Sequence, residues 1–131
     1  MPNREKIIKT CPLGGGIQAT VTDSTRHYFG GYYHVRILVS ADVPLSAGAF
    51  ADAAEYRDAV ERLGGSVSFS RILEKMAVPE EELEIVRQHL LAAFDANLLP
   101  YLERADFADS YVRSEYRRSL KTRTVSRRYP T

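Results

Sequence analysis

The chain has 131 residues, with 44% hydrophobic, 10% aromatic and 27% charged residues and a formal net charge of +1. That length suits one small domain with a real core, and the composition excludes collagen-like, low-complexity and wholly disordered chains. The single cysteine, Cys11, excludes an intramolecular disulfide, a cysteine-rich zinc site and a CxxC redox pair.

In chain order, the first pattern is Gly14-Gly15-Gly16, read as a turn: a phosphate loop needs Lys-Ser/Thr and then a helix after its last glycine, and here Ile17 opens a strand. Residues 17–22 alternate apolar and polar and are rich in β-branched side chains, which predicts a strand. Residues 32–43 alternate for longer. Tyr33, Val35, Ile37, Val39, Ala41 and Val43 share one face, and Tyr32, His34, Arg36, Ser40 and Asp42 lie on the other with Leu38. Asp23, Ser24, Thr25, Gly30 and Gly31 between these segments suggest a β-hairpin. Pro44 should end the second strand.

Apolar residues at spacings of three and four then predict a helix over 50–63, closed by Gly64-Gly65. A third strand is predicted near 66–73, with a bulge or face switch at Ser70–Arg71, because Val67 and Phe69 alternate with serines before Ile72, Leu73 and Met76 fall at helical spacing. Pro79 and the acids after it open a helix over 79–99, whose stripe of Leu83, Val86, Leu90, Phe94 and Asn97 is widened by further apolar residues. Pro100 stops or kinks that helix, and a last one is predicted over 106–120 with Phe107, Tyr111, Val112, Tyr116 and Leu120 inward. The expected fold is α+β: an antiparallel sheet of about three strands with helices packed on one face. Residues 1–120 form the expected single domain, and 121–131 a basic tail expected to fray.

Charge is uneven. Residues 113–128 carry seven bases against one acid, a net of +6, which leaves residues 1–112 with 11 bases and 16 acids, a net of −5. Arg117, Arg118, Lys121, Arg123, Arg127 and Arg128 are therefore the candidate polyanion contacts, with nucleic acid one possible partner.

Residues 27–34 concentrate four aromatics and two histidines beside Arg26 and Arg36, a composition able to stack on planar ligands or bases. On the polar strand face, Tyr32, His34 and Arg36 with Thr20 and Thr22 of the paired strand form the candidate ligand-binding set. His34 is the one weak catalytic candidate there, with Arg36 as anion binder. The histidines are too few and too scattered for a zinc site, and no cofactor signature is present, so neither metal nor cofactor is expected.

The preferred expectation is a cytoplasmic, non-enzymatic binding or regulatory domain contacting a macromolecular partner. The alternative is a small enzyme using His34 and Arg36 in a cleft on the sheet. The polar opening with only Ile7-Ile8, and the lack of an apolar run of about 20 residues, argue against a secretory signal and a membrane span. The broad apolar stripe of the 79–99 helix suggests a homodimer through that helix or the last one.

Overall fold

The computed structural model describes the backbone of residues 5–128 and the side chains of residues 5–121. The fold is α+β with an antiparallel five-stranded sheet: β1 (Lys6–Pro12), β2 (Gln18–Asp23), β3 (Arg26–Phe29), β4 (Tyr32–Pro44) and β5 (Ser66–Pro79). Three strands were expected, so β1 and β3 are additions. The helices are α1 (Ala53–Leu63), α2 (Leu83–Ala93), a π-helical turn (Phe94–Leu98) running into α3 (Leu99–Leu102), and α4 (Phe107–Arg128). The chain divides into two compact units, residues 1–41 with 69–104 and residues 42–68 with 105–131.

In the first unit β1 pairs with β2, β2 and β3 pair one after the other with a single edge of β4, and β5 pairs with β4 along its other edge. The expected pairing of the second and fourth segments holds, from Ala19↔Ala41 to Asp23↔Ile37. The tight hairpin, however, is β3 with β4. β2 breaks at Ser24-Thr25, where Asp23 Oδ1 accepts hydrogen bonds from Thr25 N at 3.0 Å and Thr25 Oγ1 at 2.6 Å, and β3 then resumes along the same edge of β4.

The face assignment of β4 is as its alternation predicts: Val35, Ile37 and Val39 are wholly buried. Val86 of α2, flanked by Leu83 and Leu90, packs against Val35 and Val78, so the helix covers the odd-numbered face of β4. β5 is longer than predicted and has no helical stretch. Its face switch lies at Ala77 rather than at Ser70–Arg71: Phe69 and Val78 are both buried although their numbers differ in parity, and Ala77 between them has a left-handed φ of 56°.

The helix predicted over 79–99 starts late and ends late. Glu80–Glu82 form a 3-10 turn ahead of Leu83, and the rod continues to Leu102. Pro100 neither stops nor breaks it. Proline has no N–H to donate and its ring crowds the carbonyl four residues back. The widened turn just before it, in which Leu99 N donates to Phe94 O, relaxes that crowding. The same turn moves the apolar stripe by one residue, so Leu98 is buried where Asn97 was expected and Asn97 is exposed.

In the second unit, α1 begins after Asp52, whose side chain accepts from Glu55 N at 2.8 Å while Glu55 Oε1 accepts from Ala51 N at 3.1 Å. This reciprocal cap explains why the helix starts at Ala53 and leaves Phe50 in the preceding loop. Gly64, with φ 87°, closes it. Tyr116 of α4 meets the Phe50 ring edge-on at 5.7 Å, and Arg113 Nη1 donates to Ala49 O at 3.2 Å. Phe107 and Val112 are buried, as the spacing predicts. The segment expected to fray falls at the end of α4, whose backbone is helical to Arg128; residues 129–131 lie outside the described residues.

Candidate functional site

The densest group of unusual surface residues is the tip of the β3–β4 hairpin. The register pairs Arg26 with His34, His27 with Tyr33 and Phe29 with Tyr32, shifting at Tyr28. Two residues, Gly30 and Gly31, make the turn. Gly30 adopts φ 55°, a conformation that a two-residue hairpin demands and that a Cβ resists. The tip is tied: His27 Nε2 donates to the Gly30 carbonyl, and the His27 and Tyr33 rings meet edge-on at 5.3 Å. Outside this frame Phe29 is 73% exposed, Tyr28 55% and Tyr32 47%. The tip is thus an ordered turn presenting three aromatic rings to solvent.

The predicted polar face is real in its backbone placement. Thr20 pairs with Ser40 and Thr22 with Leu38, so both threonines share a face with Tyr32, His34 and Arg36. It is not uniformly open, because Thr22 is buried. His34 Nε2 lies 2.5 Å from Glu74 Oε1. A carboxylate accepts only, so the proton of this bond sits on Nε2. Sequence reading missed Glu74, since 40 residues separate the pair and only the β4–β5 pairing brings them together.

Arg36 is the counterpart of Ser24, whose N donates to Arg36 O at 2.9 Å. Arg36 Nε and Ser24 Oγ are both buried and, among the described residues, have no hydrogen-bond partner. Burying a polar atom in this way costs stability.

The basic candidates on α4 converge. Arg117, Arg118 and Lys121, with Ser114, line one recess of about 320 Å³ at helical spacings of three and four. Arg118 Nη2 lies 3.6 Å from Glu115 Oε2 and remains largely exposed. The side chains of Arg123, Arg127 and Arg128 lie outside the described residues.

A cleft of about 510 Å³ is lined by Lys6, Ile7, Ile8, Asp23 and Arg87, where Arg87 Nε binds Asp23 Oδ2 at 2.8 Å. A third, of about 330 Å³, is bordered by β5 and the π turn. His34 and Arg36 line none of these three clefts. Among the described residues no three His, Cys, Asp or Glu side chains form a metal-holding group, and no helix is long and apolar enough to cross a membrane.

No family model matches the chain, and neither a curated protein nor a solved structure matches it.

Proposed function

We propose that this chain is a non-enzymatic binding domain that engages a macromolecular partner through the β3–β4 hairpin tip. The observation that carries the reading is the exposure of Tyr28, Phe29 and Tyr32 on a turn held by His27 and Gly30. Three clustered aromatic rings are a larger apolar patch than a solvated turn needs, and aromatic side chains on a rigid frame supply contact area with little entropy lost on binding. Arg26, exposed and paired with His34, flanks the patch and offers a planar cation for acidic groups on the partner.

The test compares the intact chain with a Phe29→Ser, Tyr32→Ser double variant, both immobilised and exposed to the same native extract, with matching unfolding curves as the control. Retention of a defined species by the wild type and its loss by the variant supports the reading. Equal retention by both overturns it.

The recess on α4 favours a second reading, in which Arg117, Arg118 and Lys121 hold a polyanion. Affinity for a single-stranded oligonucleotide would then fall steeply with salt, and each removed cation would flatten the log–log slope by roughly 0.7. A slope unaltered in Arg117→Ala and Lys121→Ala excludes these side chains as phosphate contacts.

A further inference from the structure

β5 uses one edge to pair with β4, and among the described residues its other edge pairs with no strand. Successive residues of an antiparallel strand turn their backbone groups to alternate edges. The Ser68 carbonyl accepts from Tyr111 Oη at 2.7 Å, and the Gly65 carbonyl accepts from Leu45 N at 3.0 Å. The phase so defined directs the backbone N–H and C=O groups of Ser70, Ile72 and Glu74 outward.

Both faces of this edge carry apolar surface. On the helix side, Arg71 and Leu73 border the cleft of about 330 Å³ whose other wall is Ala93, Asn97, Leu98 and Tyr101. Asn97 and Leu98 belong to the π turn, a feature that is rare in helices and recurs at binding and catalytic sites. On the opposite face Ile72 is 40% exposed and Met76 47%. A small ligand in the cleft would cover one face only, whereas an added strand places alternate side chains on both.

We propose that the open edge of β5 takes up an extended acidic and apolar peptide as a sixth strand, with apolar side chains entering the cleft beside Leu73 and carboxylates meeting Arg71 and Lys75. Arg71 and Lys75 alternate with Ile72 and Glu74 and so share the cleft side of the strand, and both are exposed. The Arg71 guanidinium lies 5.6 Å from the Phe69 ring centre, which holds it at the cleft mouth. The same charges argue against a second copy of β5 as the occupant. Antiparallel self-pairing sets like faces on one side, so it would gather two arginines and two lysines there, and like charges across strands are destabilising.

The probe is a fluorescein-labelled heptapeptide, Thr-Glu-Val-Leu-Val-Glu-Thr, titrated with the full chain by fluorescence polarisation. Saturable binding is expected, together with slowed hydrogen exchange at the Ile72 and Glu74 amides. Arg71→Glu weakens it by at least about tenfold, and the doubly substituted Arg71→Glu, Lys75→Glu chain prefers the version of the peptide with lysines in place of its glutamates. N-methylation of one of the two alternating sets of peptide amides abolishes binding, because a strand needs those donors. Phe29→Ser leaves all of this unchanged, which separates the β5 edge from the hairpin tip. The proposal is overturned if the wild type shows no binding at peptide concentrations up to about 1 mM, if both N-methylated peptides bind as well as the parent, or if Arg71→Glu has no effect on affinity.

Discussion

Tyr116 Oη donates a 2.6 Å hydrogen bond to Asp58 Oδ2, the same carboxylate oxygen that takes Arg62 Nε at 2.8 Å. One oxygen thereby ties α4 to α1 and closes a turn of α1 onto itself. Ionising the tyrosine would destroy the bond and set a phenolate against a carboxylate. The Tyr116 hydroxyl is accordingly raised above its usual value, first by the hydrogen bond to Asp58 and then by desolvation and the negative charges of Asp58 and Glu55.

A folded-state value above the unfolded one stabilises the fold fully below the unfolded value of about 10, and that contribution is lost as pH rises through the folded value. Tyr116→Phe should therefore cost roughly 1 kcal/mol near neutral pH and flatten the loss of stability above about pH 10. Urea unfolding across the alkaline range measures both. An alkaline decline just as steep in the variant would assign it to other groups.

Ile37 sits at the centre of β4 with none of its surface exposed. Ile37→Ala removes buried methylenes and leaves a cavity among neighbours that are themselves packed on a sheet, so a loss of roughly 2–5 kcal/mol is expected in chemical unfolding. A loss under about 1 kcal/mol would mean that the site collapses freely and is no rigid core.

Ser24→Ala should act in the opposite direction. The hydroxyl is buried with no hydrogen-bond partner among the described residues, so removing it deletes a desolvation cost and breaks no described bond, with a gain of roughly 1 kcal/mol expected. Thermal unfolding of the pair decides the sign. A destabilised variant would show that the hydroxyl is satisfied in solution.

Ala77 holds a left-handed φ of 56°, which costs an L-residue roughly 1–2 kcal/mol and glycine almost nothing. Ala77→Gly returns part of that as chain entropy in the unfolded state, so a net gain of about 0.5–1 kcal/mol is expected. Equal or lower stability would indicate that the methyl group makes compensating contacts.

What the sequence discloses depends on how locally each element is encoded. β4 was legible because one face is buried along its whole length, which forces strict alternation. β3 was not, since Arg26–Phe29 are all exposed and nothing selects a period. β1 escaped for a related reason: its register shifts between Ile7 and Lys9, and the bulge breaks the alternation that would have marked it. The residues of the candidate ligand face do share one side of β2 and β4, yet the Glu74 partner of His34 and the buried Ser24 hydroxyl are products of pairing and break geometry that no local pattern carries. The basic set on α4 was readable because helical spacing alone brings Ser114, Arg117, Arg118 and Lys121 to one side.

The π turn makes chain length at this point as consequential as side-chain identity. Phe94–Leu98 contain one residue more than a regular α-helical path would use, and Leu102 beyond them is buried. Deleting one of those residues would restore a regular ladder of backbone bonds and leave the positions downstream close to their present phase, because the wide turn already takes up the extra residue. Straightening the turn with all five residues kept would instead rotate every position downstream by about 100° around the helix axis, swinging Leu102 out of the core and setting Pro100 against an unwidened turn. A gap of one residue here is thus gentler on the phase of the helix than any change that tightens the turn at constant length.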